Sequence, residues 1–184
     1  MTVTTVSLTL AAASSASAAT VFGFQTPYAP INWTLTNNNA DGSVNTSGAP
    51  TSISLTGGNN GSNAPGTTDY TTTAAAAGTV TFDWDYSTND GPFFDRFGYL
   101  LNGSFSFLAG SGQSGTSTFN VLAGDSFGFR IFTTDNIFGR ASVTISNFSA
   151  PGPMAPTPVP EPSTVLSLLV LGGLGAGLKY LKRN

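Results

Sequence analysis

Apolar and polar side chains alternate with a period of two through much of the second half of the chain, which is typical of half-buried β-strands. In the clearest run, residues 79–87, one side carries Val80, Phe82, Trp84 and Tyr86, and the other carries Thr81, Asp83, Asp85 and Ser87. Similar runs occur at residues 97–101, 104–108, 116–122, 126–133 and 141–148, with turn-forming residues such as Asn102-Gly103 between them. This spacing predicts an all-β fold, an antiparallel β-sandwich of jelly-roll type.

The first half of the chain is less regular. Strands are predicted at residues 20–24, 31–36 and 51–55, and loops at the Asn-, Gly- and Ser-rich residues 37–48 and 57–68. Residues 70–77 fit either a strand or a helical turn.

The small number of charged residues and the absence of two residue types limit the catalytic and metal-binding sites that the chain can form. Only 8% of the 184 residues are charged, and the sequence contains neither cysteine nor histidine. Disulfides, thiol nucleophiles, the Ser-His-Asp triad and most zinc and copper sites are therefore excluded. Between residues 20 and 150, eight aspartates against three arginines leave a net charge of −5. We expect no nucleic-acid partner, because phosphates need basic contacts.

The N-terminus is predicted to be a signal peptide over residues 1–18. A modestly apolar stretch at residues 3–13 leads into small residues, with Ala16 and Ala18 spaced as at a leader-peptidase site. The basic start of a leader is missing, since no lysine or arginine precedes Arg96. We therefore expect the true start to lie upstream of Met1; the alternative is a disordered terminus rich in Ala, Ser and Thr.

The C-terminus combines three features in a fixed order. A Pro-rich linker over residues 151–163 contains Pro160-Glu161-Pro162, an apolar run follows, and the chain closes on the basic residues Lys179, Lys182 and Arg183. Residues 164–181 would be about 27 Å long as a helix, enough to cross a bilayer core if Lys179 extends to the interface. We expect residues 164–184 to form a transmembrane helix with a cytoplasmic basic tail. Residues 19–150 would then form an ectodomain outside the membrane.

This tail, residues 159–183, resembles the PEP-CTERM sorting signal of Gram-negative bacteria and cyanobacteria. The resemblance implies that an exosortase, an integral membrane protease or transpeptidase, recognises Pro160, Glu161 and Pro162. Cleavage near this motif would release the ectodomain from a transient inner-membrane anchor to the cell surface or the exopolysaccharide matrix. The alternative is an ordinary anchor helix beside a chance Pro-Glu-Pro.

The predicted strands also resemble the CUB-like and jelly-roll modules of bacterial surface proteins. The similar segments are residues 82–86, 90–92, 98–103, 124–127 and 134–135. The chain departs from such modules because it has no cysteine pair and no glutamate in the domain.

Four aspartates are weak candidates for a metal site. Asp83 and Asp85 share one face of a predicted strand, about 7 Å apart from the rise per residue, and Asp90 and Asp95 follow in the next loop. Carboxylate oxygens suit Ca²⁺, although the spacing matches no EF-hand loop. In the alternative interpretation, the first pair is solvated and the second pair forms turns. Calcium is the only cofactor that these residues leave open.

Asp83 and Asp85 also have a separation at which glycosidase carboxylates work. No recognisable active-site pattern surrounds them, and we predict that the protein is not an enzyme.

Aromatic and basic side chains are the other candidates for sugar binding. Trp84 falls on the predicted core face, which leaves Trp33 as the candidate aromatic for stacking on a sugar ring. The domain's arginines would either bind acidic sugars or, as we expect, pair with aspartates; they are Arg96, Arg130 and Arg140.

Together these features predict an exported surface or exopolysaccharide-matrix protein, processed by an exosortase, with a structural or adhesive role. In the alternative, the ectodomain is a carbohydrate- or calcium-binding module. A glycan hydrolase is the more remote alternative.

Overall fold

Eleven strands form in the part of the chain that the computed structural model describes, residues 18–91 and 93–153. They are β1 (Thr20–Phe22), β2 (Thr34–Asn38), β3 (Ser43–Asn45), β4 (Ser52–Thr56), β5 (Gly66–Thr73), β6 (Gly78–Ser87), β7 (Asp95–Leu101), β8 (Ser104–Ala109), β9 (Gln113–Val121), β10 (Ser126–Thr133) and β11 (Ser142–Pro151). A short 3-10 helix, Pro30–Asn32, precedes β2.

The strands form two sheets in which every pairing is antiparallel. Sheet A has the order β3-β4-β11-β6-β9, with β1 also paired to β11, and sheet B has the order β2-β5-β10-β7-β8. The predicted antiparallel β-sandwich is therefore confirmed. The expected C-terminal helix and the signal peptide lie outside the described residues. No helix with the length and hydropathy of a membrane span occurs at residues 18–91 or 93–153.

Local sequence signals located the hairpin of sheet B correctly. Strands β7 and β8 are joined by Asn102 and Gly103, whose φ angles of 49° and 81° are both positive, as a two-residue hairpin turn requires. Strand β10 covers residues 126–133, the range that the alternation predicted.

The first half of the chain contains strands that the sequence pattern missed. Strands β3 and β5 begin inside the predicted loops, and the 3-10 helix takes the first residues of the predicted strand at 31–36. Of the two alternatives at residues 70–77, residues 70–73 form a strand, and the earlier part of β5 escaped detection because a threonine occupies a buried position where an apolar residue was expected. The Thr68 hydroxyl donates to Asn37 Oδ1 at 2.8 Å, and the Thr72 hydroxyl donates to the Asn32 carbonyl oxygen at 2.8 Å. β-Branched threonine suits a strand, and these bonds offset the cost of burying its hydroxyl.

Aromatic rings from both sheets fill the space between them. The largest fully buried side chains include Tyr28, Phe82, Phe97, Phe127, Phe129 and Phe148. Tyr28 also joins the end of β11 to the loop between β5 and β6, since its hydroxyl donates to the Pro151 carbonyl oxygen at 2.5 Å and accepts from the Ala75 backbone N–H at 3.0 Å.

A β-bulge in β11 changes which of its side chains point into the core. Val143 and Ile145 point into the core, so simple alternation would turn residue 147 inward and Phe148 outward. The pairing with β6 shifts between Ser146 and Ser149, and Asn147 takes a left-handed φ of 48°. This extra residue lets Phe148 and Ala150 face the core, while Asn147 stays on the outer face.

Candidate functional site

The candidate site lies on the outer face of sheet A, beside the bulge in β11. Strands β1 and β4 follow one another along the same edge of β11: β1 pairs with residues 149–151 and β4 with residues 142–146. The opposite edge of β11 pairs with β6. The interval between β1 and β4 therefore falls at residues 147 and 148, where the bulge disrupts regular pairing.

An open pocket of about 480 Å³ occupies this interval. It is lined by Phe22, Gly23, Pro50, Thr51, Asn147, Phe148 and Ser149. The volume falls within the range of about 300–1,000 Å³ that is usual for small-molecule sites. Phe22, which is 69% exposed, and the exposed Pro50 supply apolar wall that solvent can reach, whereas Phe148 is buried.

Gly23 allows the close chain approach that shapes the pocket. Its φ is +74°, and a Cβ atom at this position would lie 2.5 Å from the Pro50 carbonyl oxygen. A side chain here would be strained and would displace the Pro50 backbone. Glycine is therefore required for the end of β1 to lie against the start of β4.

A hydrogen-bonded carboxylate lies next to the pocket. Asn147 Nδ2 donates to Asp83 Oδ2 at 2.7 Å, and the Thr116 hydroxyl donates to Asp83 Oδ1 at 2.5 Å. These bonds, with the Asn147 amide as the larger cause, lower the pKa of Asp83 below its usual range. Asp83 is thus a half-buried carboxylate that neutral groups from β11 and β9 hold in one orientation.

Elsewhere on this outer face, hydroxyl and amide side chains form hydrogen-bonded pairs across neighbouring strands. The Thr79 hydroxyl donates to Asn120 Oδ1 at 3.0 Å, and hydroxyl pairs join Thr81 to Thr118 at 3.2 Å and Ser54 to Thr144 at 3.3 Å. Pairs of this kind across neighbouring strands stabilise a sheet and keep its outer surface polar without charge.

The four metal candidates lie in two different places. Asp83 and Asp85 share the outer face of β6, as predicted, but Asp90 lies in the loop after β6 and Asp95 begins β7 in sheet B. Asp95 is 1% exposed, and its carboxylate accepts from the Thr88 hydroxyl at 2.9 Å. Within the part of the chain that the structure describes, no three acidic, cysteine or histidine side chains are grouped so as to hold a metal ion.

The electrostatics of Asp83 do not suit a glycosidase proton donor. Such a carboxyl group must keep its proton near neutral pH, which requires a raised pKa. The hydrogen bonds from Asn147 and Thr116 act in the opposite direction.

The expectation that Trp33 is a surface aromatic for sugar stacking is corrected by its burial. Trp33 is 7% exposed, its indole N–H donates to the Tyr28 carbonyl oxygen at 3.0 Å, and its ring stacks between Tyr70 and Phe129. Trp33 follows the 3-10 helix, and this turn directs the ring into the sandwich. No face of the indole ring remains for a ligand.

Two of the three arginines pair with aspartates, as expected. Arg130 makes two bonds of 2.6 Å to the Asp69 carboxylate, and Arg140 forms an ion pair with Asp41. Arg96 has no carboxylate partner in the described ranges; its Nε donates to the Phe93 carbonyl oxygen, and its guanidinium lies 5.8 Å from the centre of the Phe132 ring.

Sequence reasoning missed Phe22 and Asn147 as site residues. One signal was available for Asn147: the inward series Val143, Ile145, Phe148, Ala150 skips a position at residues 146–147, which is how a bulge appears in a sequence. No comparable signal marks Phe22, since an exposed aromatic at a strand end looks like a core residue before the sheets are assembled.

The comparison with solved structures found proteins of low similarity. A carbohydrate-binding module of the β-sandwich superfamily is 14% identical, with a TM-score of 0.47 over 73% of this chain and 62% of that one. A family 11 carbohydrate-binding module from Clostridium thermocellum is 11% identical, with a TM-score of 0.45 over 77% and 99%. The secreted serine protease VesC from Vibrio cholerae is 14% identical, with a TM-score of 0.38 over 54% and 21%. At these TM-scores the likeness carries no argument about function.

Of the two sequence comparisons, one found a match, and it lies at the C-terminus. The search of curated proteins found no match. The model of the PEP-CTERM protein-sorting motif matches residues 158–183, which include Pro160, Glu161, Pro162 and the basic residues Lys179, Lys182 and Arg183. These residues lie outside the part of the chain that the structure describes. The chain is therefore a β-sandwich protein that carries a PEP-CTERM sorting motif at its C-terminus.

Proposed function

We propose that this chain is exported, processed by an exosortase at Pro160-Glu161-Pro162, and displayed as a β-sandwich at the cell surface or in the exopolysaccharide matrix. Its role there is structural or adhesive, without catalysis. The match of residues 158–183 to the PEP-CTERM sorting motif carries this proposal, because the motif is a signal for sorting.

The described domain has the chemistry expected of a surface module. Its outer sheet A face presents neutral hydroxyl and amide groups, and two of its three arginines are neutralised by aspartates. The absence of histidine and cysteine from the sequence removes the usual nucleophile and base systems. A surface of this kind fits contact with hydrated, uncharged polymers better than contact with nucleic acid.

The test is the mass and the location of the protein in a host with and without its exosortase. With the enzyme, we expect an intact mass that ends near residues 160–162 and protein released to the surface or the medium. Without it, the full-length protein stays with the inner membrane. A Glu161→Gln variant should block processing, whereas Pro156→Ala, a matched change in the linker outside the motif, should not.

A full-length C-terminus retained in the membrane of both strains would contradict the proposal. The tail would then act as an anchor only, and the matrix assignment would lose its support.

A further inference from the structure

We propose that the pocket between β1 and β4, together with Asp83, binds a neutral sugar unit of an extracellular polysaccharide. The pocket brings an exposed aromatic ring, Phe22, to one side of a fixed amide and carboxylate pair, Asn147 and Asp83. The inference rests on the proposed function in one respect: a domain displayed outside the cell is one that meets polysaccharide.

The exposed ring supplies the apolar half of the site. Phe22 pairs with Ser149 at the end of β1, where it is 69% exposed. Most aromatic rings of this sandwich are buried, and a ring left open beside a pocket is available for contact with the C–H groups on one face of a pyranose. Contact of this kind removes apolar surface of both partners from water.

The carboxylate supplies the polar half. Each oxygen of Asp83 accepts one bond from the protein, and a carboxylate has about four acceptor positions, so capacity remains for ligand hydroxyl groups. A hydrogen bond from a hydroxyl to a carboxylate is charge-assisted and stronger than one between neutral groups. Because Asn147 and Thr116 hold this carboxylate in place, less side-chain entropy is lost on binding.

The charge of the site selects a neutral ligand. Asp83 has no cationic partner among the described residues, Asp85 lies two residues away on the same face, and the domain carries a net charge of −5 between residues 20 and 150. A uronate or a phosphate would be repelled at this face, whereas the hydroxyl groups of a neutral sugar would not.

The dimensions fit one or two sugar units. Phe22 and Asp83 lie two strands apart, on β1 and β6 with β11 between them, and Asp83 is two residues along β6 from the position in line with Phe22, which places them about 12 Å apart. The bulge serves this arrangement, because Asn147 reaches both the pocket and Asp83 only as the extra outward residue of β11.

The experiment is native gel electrophoresis of the full-length protein through gels that contain a soluble polysaccharide. The probes are hydroxyethyl cellulose and galactomannan as neutral polymers and polygalacturonate as an acidic one. A detergent without a sugar headgroup avoids competition for the pocket, and each gel is run with and without a calcium chelator. We expect retardation by a neutral polymer, unchanged by the chelator.

Matched variants assign the retardation to the pocket. Phe22→Ala and Asp83→Asn should each weaken the apparent affinity about tenfold, the loss of one good contact. Phe22→Tyr should keep it, because the ring remains. The controls are Phe107→Ala, an exposed phenylalanine in sheet B, and Asp85→Asn, an exposed aspartate on the strand of Asp83; both should bind within about twofold of the parent protein. Unchanged thermal unfolding of Phe22→Ala separates loss of binding from loss of folding.

Several results would overturn the proposal. They are no retardation by any neutral polymer, retardation by polygalacturonate alone, dependence on calcium, or equal losses in the Asp83→Asn and Asp85→Asn variants. Self-association that Phe22→Ala abolishes, without retardation, would assign the pocket to a second copy of the chain. The exosortase experiment is independent of all these results, so either proposal can fail while the other stands.

Discussion

The outer faces of the two sheets differ far more than their inner faces do. Both inner faces are apolar and aromatic. Outside, sheet A presents threonine, serine and asparagine with the carboxylates of β6. In sheet B, β2 and β5 are also rich in threonine, but β7, β8 and β10 present arginine and phenylalanine: Arg96, Phe105, Phe107, Arg130 and Phe132. The fold constrains only the faces that pack together. The outer faces are free to differ, and we therefore expect a ligand site on one of them.

The charged groups on the two faces are also satisfied in different ways. In sheet B, Arg130 binds Asp69 and lies 5.8 Å from the centre of the Phe105 ring, and Arg96 lies the same distance from Phe132. These cations are engaged within the chain. In sheet A, Asp83 accepts only from neutral donors and keeps its charge beside an open pocket. This difference makes sheet A the better candidate for a ligand surface.

The largest expected effect is the difference in stability between losing a core ring and losing a ring on an outer face. Trp33→Ala should lower the free energy of unfolding by about 3–5 kcal/mol, because it removes a buried ring that stacks on two others. Phe107→Ala, at a ring that is 49% exposed, should cost less than about 1 kcal/mol. Urea unfolding of the purified variants measures both. Similar losses would mean that the outer face of sheet B is part of the core.

The second prediction concerns the ion pairs. Arg130→Gln should cost about 2 kcal/mol, because it leaves the carboxylate of Asp69, 15% exposed, without its bidentate partner. Arg140→Gln should cost less, about 1 kcal/mol: that pair is 37% and 42% exposed and water screens it, so the loss comes mainly from the bonds of Arg140 to the Asp41 and Gly57 carbonyl oxygens. Thermal unfolding of each variant at two salt concentrations tests the difference. If the Arg140 variant lost more stability, the ion pair of sheet B would not be the more stabilising of the two.

The smallest effect is a pH dependence of opposite sign in the two sheets. Burial, the largest cause, raises the pKa of Asp95, whereas hydrogen bonds from Asn147 and Thr116 lower the pKa of Asp83. The contribution of Asp95 to stability is therefore fully present below its unfolded pKa, about 3.9, and is lost as the pH rises through the higher folded value. The contribution of Asp83 is present above the unfolded pKa and is lost as the pH falls through the lower folded value.

Melting temperatures between pH 2 and pH 7 should show both trends. Relative to the parent protein, Asp95→Asn should gain stability as the pH rises, and Asp83→Asn should lose it. The asparagine at position 95 can still accept from the Thr88 hydroxyl, so the charge is the main change. Parallel pH profiles for the two variants would contradict the assigned environments.

Much of the fold could be predicted from local patterns, and much of the site could not. The alternation at residues 79–87 placed Asp83 and Asp85 on one outer face, and β6 has them there. The same reasoning grouped Asp90 and Asp95 with them, because the four are close in sequence. The loop after β6 carries the chain to the other sheet, so Asp95 begins β7 and is buried beside Thr88, away from the outer face of β6.

The sequence by itself determined the period-two strands, the Asn102-Gly103 hairpin and the sorting motif, because each depends on residues that are neighbours in the chain. Only the tertiary structure decided that Trp33 is buried, that β5 has buried threonines, and that Phe22, Asn147 and Asp83 lie on the same part of one face. The pocket joins residues of β1 and β11 that are more than 120 positions apart, and Asp83 of β6 reaches it through Asn147. Contacts of that separation depend on which strands pair and in which register, and a single bulge in β11 changes the answer.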